Sequence, residues 1–298
     1  MIKSKNKNSA SILVLLITCS RTKQRQMIEK SAIEQLVKTA NKEAPNISFM
    51  LFDNNSIYSE HLDKFKEIGL IFRSNKNRGL WSAIHWVLKN EFKIYENPHK
   101  YLHIIESDLY VKTLLPLIEI SNTLDKFSNL HMARTQEFSV RTSWRFNKKY
   151  SRLPYPLHVR RSQVDLKNTS NFVDFEHKLI ANLRKFKLYS SNLNAKLPGL
   201  HKIESLRTVI YKLAIFDSFS EKNFFEIYSK LSNQIALLDG GIWHSLTDSK
   251  KYSKDTGSYG NPSYLSKIGY QETRYSAISN YKATEIILDA SSNFLGPL

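Results

Sequence analysis

Glu106 and Asp108 stand at the end of an apolar run, residues 101–106, and are two positions apart. In an extended backbone such a pair projects from one face. In open α/β sheets, ligands bind outside the carboxyl ends of the strands, which is where this pair falls. Two carboxylates held there suit a hard divalent cation, and such a cation suits a substrate that carries phosphates.

Positioning that pair requires a sheet, and the first half of the chain alternates accordingly. Residues 11–17 form a continuous apolar run, as expected of a strand buried on both faces. A polar turn at Cys19-Ser20-Arg21-Thr22 leads into a helical pattern with Met27, Ile28, Ala32, Ile33, Leu36, Val37 and Ala40 on its inner side. Pro45 and Asn46 break the pattern. A second strand, 47–52, ends at Asp53-Asn54-Asn55-Ser56. A short helix over 61–68 and a strand over 70–73 follow, and Gly79 opens a helix with Leu80, Trp81, Ile84, Val87 and Leu88 inward. Trp81 reads as core rather than as a ligand-stacking ring. This order predicts a mostly parallel sheet with helices on both faces. Right-handed crossovers would bring 18–21, 53–56 and 106–108 to one rim.

Beyond Leu114 the pattern predicts a helix to about 127, a strand over 130–134, and helices over 172–186, 203–216 and 221–232. A last buried strand, 235–238, ends at Asp239-Gly240-Gly241-Ile242-Trp243-His244, and the remainder reads as loops with short elements. Residues 139–161 are basic, aromatic and aperiodic, with Trp144, Phe146, Tyr150 and Tyr155 among Arg and Lys.

The 298 residues suffice for one large α/β domain or two small ones. One cysteine, Cys19, excludes an internal disulfide and a Cys/His metal cluster. The outlier is charge: 44 basic against 27 acidic residues, formally +17. Either a solvated lysine-rich surface or attraction to a polyanion accounts for it. No apolar stretch is long enough to span a bilayer. The basic start and the short apolar segment 12–17 loosely imitate a secretion signal, but Thr18 is the wrong residue before Cys19 and the segment fits a first strand. A cytoplasmic protein is expected.

The motifs together resemble the GT-A nucleotide-sugar glycosyltransferases, most closely the family-2 type. Thr18-Cys19-Ser20-Arg21 matches the turn after strand one, and Asp53-Asn54-Asn55-Ser56 the Asp-x-x-Ser motif. Asn77-Arg78-Gly79 matches the Asn-x-Gly that opens the next helix, and Glu106-Ser107-Asp108 stands where the Asp-x-Asp metal motif falls. The likeness covers roughly 11–111. It implies a GT-A (Rossmann-like) α/β fold with a helical, loop-rich acceptor part: a basic tail 1–10, a nucleotide-sugar-binding half 11–135, and an acceptor and catalytic-base half 136–298 of the same domain. It implies a metal-dependent, inverting glycosyl transfer from a nucleoside-diphosphate sugar, UDP-linked, to a saccharide or lipid-linked acceptor.

In that reading Thr18, Ser20 and Arg21 line the nucleotide pocket. Asp53 accepts a hydrogen bond from the base, and can also form an Asx-turn. Asn77, Arg78 and Gly79 lie near the diphosphate. Asp108 is the direct ligand of Mn²⁺ or Mg²⁺, whereas Glu106, departing from the usual Asp, reaches the ribose, the sugar or a metal-bound water, with Ser107 between them. Asp239 is the foremost candidate for the base that deprotonates the acceptor hydroxyl, ahead of Asp217 and Glu221. His244 either completes the metal shell or packs beside Trp243.

Other readings give the residues different work. A nucleic-acid-binding protein would use the basic aromatic stretch as a stacking groove, although nucleic acid is not the expected partner. A sugar nucleotidyltransferase would need a glycine-rich first loop, which Cys19-Ser20-Arg21-Thr22 lacks. A degenerate GT-A domain would bind without turnover. Basic character without a membrane span also suits peripheral contact with an anionic leaflet.

Overall fold

Seven consecutive apolar or β-branched residues, Ile12–Thr18, form the buried strand β1, and the rest of the fold is layered on it. In this computed structural model, residues 12–44, 46–77, 79–95, 97–135, 177–191, 199–215, 221–245 and 294–297 are described. Helix α1 (Lys23–Glu43) follows, capped by Thr22, whose side chain accepts from the Arg25 N–H. Then come β2 (Ser48–Asp53), a 3-10 helix (Glu60–Glu67), β3 (Leu70–Ser74), α2 (Gly79–Ile94) and β4 (Tyr101–Glu106). The second half adds β5 (Leu109–Val111), α3 (Pro116–Lys126), β6 (Met132–Arg134), β7 (His177–Leu183), β8 (Phe186–Ser191) and β9 (Gly199–Lys202). It ends with α4 (Ile203–Ile215), α5 (Glu221–Leu231), β10 (Ile235–Leu238), β11 (Trp243–Ser245) and β12 (Phe294–Pro297).

Among the described residues ten strands make one sheet in the order β12-β3-β2-β1-β4-β9-β6-β10-β8-β7, and β5 and β11 form a separate two-stranded ribbon. Strands β1 to β4, β6, β7 and β10 run one way; β8, β9 and β12 run against them. The first half is therefore wholly parallel across β3-β2-β1-β4, as βαβ crossovers require. Alternation within β1 divides the core in two. Leu13, Leu15 and Ile17 face α2, α4 and α5, whereas Ile12, Val14 and Leu16 face α1, the 3-10 helix and α3. Among the described residues no helix is long and apolar enough to cross a membrane.

Three expectations are corrected. Residues 177–191 form a hairpin, not a helix; its turn at Arg184-Lys185 places Arg184 at φ 47. Met27, placed on the inner side of the first helix by spacing, is 65% exposed, and the buried side instead includes Glu29. Glu106 and Asp108 do not share a strand face, because β4 stops at Glu106 and Ser107-Asp108 form a turn into β5. The basic aromatic stretch 139–161 and Asp217 lie outside the described residues.

Candidate functional site at the sheet rim

Register alone brings the first clusters together. In the parallel pairings Thr18 lies opposite Asp53, and Ile17 opposite Glu106, so β1, β2 and β4 end on one rim. Loop 53–58 is then tied to the turn after β1. The Asn54 N–H donates to the Thr18 carbonyl (2.8 Å), the Ile57 and Tyr58 N–H groups to the Ser20 carbonyl (2.9 and 3.1 Å), and the Ser20 N–H to Ser56 Oγ (2.7 Å). Asp53 is fully buried. Its Oδ1 accepts from the Ser56 N–H at 2.9 Å, closing an Asx-type turn, and its Oδ2 accepts from Arg73 Nε at 2.6 Å. A carboxylate has about four acceptor sites, so the pair leaves room for a further donor.

Helix α1 supplies a group that the sequence did not single out. Glu29 is buried and gathers the rim from below. Its Oε2 accepts from Thr18 Oγ1 at 2.6 Å and lies 3.3 Å from His61 Nε2; its Oε1 accepts from Ser107 Oγ at 2.8 Å and Arg25 Nε at 3.0 Å. Burial pushes the Glu29 carboxyl up, but His61, Arg25, Thr18 and Ser107 outweigh it and hold the group below its ordinary value. Arg25 Nη2 also donates to Ser107 Oγ at 2.9 Å, and Nη1 lies 3.4 Å from Asp108 Oδ2. A carboxylate in a helical pattern reads as solvated, so spacing alone does not mark Glu29 as part of a site. Thr18 and Ser107 at the two strand ends were the available signal.

Several buried polar atoms here have unused bonding capacity. Among the described residues Ser20 Oγ, Arg21 Nε and both carboxylate oxygens of Asp108 find no hydrogen-bond partner, although Asp108 is only 1% exposed. Buried polar atoms are normally satisfied, so such a cluster marks where a ligand's groups would fit. The first turn of α1 contains no acidic residue, and Arg21, Lys23 and Arg25 surround it. Cations at a helix amino end are unfavourable by themselves and favourable beside an anion. Cys19 sits in the same turn, where burial pushes its thiol up.

The other expected residues reach the rim by topology. Helix α2 starts after β3, with the Gly79 N–H donating to Asn77 Oδ1 at 2.9 Å and Gly79 at φ 72, a conformation that favours glycine. Arg78 lies outside the described residues. Trp81 is core, its ring 5.1 Å from that of Phe224. Asp239 follows β10, which runs parallel to β6, so it too comes to this end of the sheet. Its N–H donates to the Lys187 carbonyl at 2.9 Å, and its charge partly offsets the lowering that burial imposes on His177.

The turn after Asp239 returns to β5 and the end of β6. The Ile242 N–H donates to the Thr135 carbonyl and the Lys112 N–H to the Ile242 carbonyl, both at 2.8 Å. In the ribbon His244 pairs with Tyr110 and Ser245 with Leu109, next to Asp108. Trp243 is fully buried, and its Nε1 donates to His103 Nε2 at 3.1 Å. The backbone thus brings His244 to the metal-motif turn. Among the described residues no group of three or more His, Cys, Asp or Glu side chains is assembled for a metal.

No protein-family model and no curated protein matches this chain. Among solved structures it is similar to S. aureus TarS 1-349, at 11% identity over 89% of this chain and 72% of that one, with a TM-score of 0.45. The same protein in complex with UDP gives 0.44 at the same identity and coverage. Glucosyl-3-phosphoglycerate synthase from Mycobacterium tuberculosis, in complex with Mg²⁺ and UDP, gives 0.41 at 11% identity over 79% of this chain and 71% of that one. Likenesses at this level assign no role to any residue. The chain's own strand order, parallel from β3 to β4 with helices on both faces, is the α/β architecture with a mostly parallel central sheet that the order of elements predicted.

Proposed function

We propose that this chain transfers a glycosyl group from a nucleoside-diphosphate sugar, UDP-linked by the motif resemblance, to a saccharide or lipid-linked acceptor. The observation that carries the reading is the rim's unused bonding capacity. Among the described residues Ser20 Oγ, Arg21 Nε and the Asp108 oxygens are buried without hydrogen-bond partners, beside a helix amino end whose first turn holds Lys23 and Arg25 and no acidic residue. That combination suits an anionic, oxygen-rich ligand. Thr18, Ser20, Arg21 and Asp53 would border the nucleoside, with Asn77, Arg78 and Gly79 near the diphosphate and Glu106 and Ser107 near the ribose or sugar.

The donor chemistry fits a hard divalent cation. The two unbonded Asp108 oxygens are the ligand type that Mg²⁺ and Mn²⁺ take, and such ions are commonly held by one or two carboxylates plus substrate phosphates. His244 is the second ligand we assign. When bound, the cation would act as a Lewis acid that lowers the charge on the departing diphosphate. The chain's own contribution is to hold the donor against the α1 amino end, where Arg21 offers an N–H to the developing negative charge. Asp239 would take the proton of the acceptor hydroxyl as its oxygen bonds to the anomeric carbon and the bond to the diphosphate breaks, inverting the centre.

A thermal-shift panel of nucleoside diphosphates and their sugars, with and without Mn²⁺, tests the reading. UDP should raise the melting temperature, more so with Mn²⁺, and Asp108→Ala should lose the Mn²⁺ increment and turnover. No shift with any nucleotide would overturn it. With +17 net charge, we also propose a peripheral seat on the anionic inner leaflet, where lipid-linked acceptors lie. Co-sedimentation with phosphatidylserine vesicles that falls with salt is expected; no binding at low salt would remove that location.

A further inference from the structure

Arg25 holds its place by two tethers: Nε to Glu29 Oε1 at 3.0 Å, and Nη2 to Ser107 Oγ at 2.9 Å. Thus fixed, the guanidinium puts Nη1 3.4 Å from Asp108 Oδ2. The pairing is electrostatic, since among the described residues neither Asp108 oxygen has a hydrogen-bond partner. The Arg25 and Asp108 side chains are 12% and 1% exposed, so water screens the pair little. Any dication that approached Asp108 would meet a tethered monocation already in its field. A nucleoside diphosphate changes that balance, because its phosphates offset both positive charges.

We propose that Arg25 is the resident counter-ion of Asp108, which keeps the cation site weak until a diphosphate arrives and gives the diphosphate a cationic contact of its own. This rests on the donor-site reading above and adds to it a preferred order of binding: nucleotide first or together with the cation, with the cation alone held only weakly. By linkage, whatever factor the nucleotide adds to cation affinity, the cation adds to nucleotide affinity. Arg25 sets that factor from the apo side.

Calorimetric titration of the full chain with Mn²⁺ alone, and with UDP in the presence of chelator, tests it. Wild type should bind Mn²⁺ alone weakly and still bind UDP under chelator. Arg25→Met should bind Mn²⁺ alone at least tenfold more tightly and UDP under chelator at least tenfold more weakly. If that variant fails to fold because Glu29 is left unpaired, the double variant Arg25→Gln/Glu29→Gln removes both charges together and should show the same opposed shifts. Equal Mn²⁺ affinity in wild type and variant, with UDP binding intact, overturns the counter-ion role and leaves the transferase reading standing. Absence of UDP binding to wild type, with or without Mn²⁺, overturns both.

Discussion

Glu29 organises more of the rim than any residue picked out by motif. It ties the end of β1 through Thr18, the turn after β4 through Ser107, and the 3-10 helix through His61, while anchoring Arg25. Removing one partner from a buried, charged network strands the others and costs about 3–5 kcal/mol. Glu29→Ala should therefore lower the melting temperature by well over 5 °C, at roughly 2–4 °C per kcal/mol for a domain of this class. A calorimetric scan showing less than a degree of change would deny the network its role. At this scale the sequence revealed residues whose turn chemistry is local. Asp53 with Ser56, and Asn77 with Gly79, act within three positions and could be read from spacing. Arg25, Glu29 and Arg73 act across 20 or more positions in at least one contact each, so their pairing with Ser107, Thr18, His61 or Asp53 left no local trace.

At the scale of elements, alternation of apolar runs with helical spacing located every strand and helix from β1 to β4, because βαβ units are locally encoded. The hairpin of β7 and β8 escaped because its two-residue turn is Arg184-Lys185 instead of the usual Asn-Gly or Asp-Gly. The short helix expected over 61–68 is a 3-10 helix over Glu60–Glu67 that ends against Gly69. A Cβ at Gly69 would lie 2.2 Å from the Phe49 carbonyl oxygen, so the backbones of β2 and the β3 entry touch there. Gly69→Ala must push β2 aside, at a cost of about 1–3 kcal/mol for an overpacked core. Chemical denaturation should give a lower midpoint with unchanged slope; a midpoint equal to wild type would mean that the approach relaxes freely.

For the molecule as a whole, fully buried histidines weaken the fold in acid: among the described residues burial and Lys89 hold His85 at about 4, and two others lie lower still. Burial lowers His201 to about 3, and burial together with His201 lowers His103 to about 3. An unfolded histidine titrates near 6.5. Between these values the unfolded chain binds protons that the folded chain refuses, so stability is complete above about pH 6.5 and declines as pH falls toward 3, by roughly 1.4 kcal/mol per pH unit for each histidine. Melting temperatures measured from pH 7.5 to 4.5 should drop below pH 6.5, and His201→Phe should flatten the slope. A variant as acid-sensitive as wild type would remove His201 from the response.

The interleaving of the sheet bears on how the chain can be handled. Strand β6, which closes the first half, has β9 and β10 as its two neighbours, and β4 meets β9 on one side. Both β9 and β10 come from beyond residue 135. A fragment ending there would keep β6 with no partner and leave one edge of β4 bare, so the halves are not interchangeable cassettes. Chimeras intended to change what the rim binds would do better to exchange loops there than to splice at the midpoint.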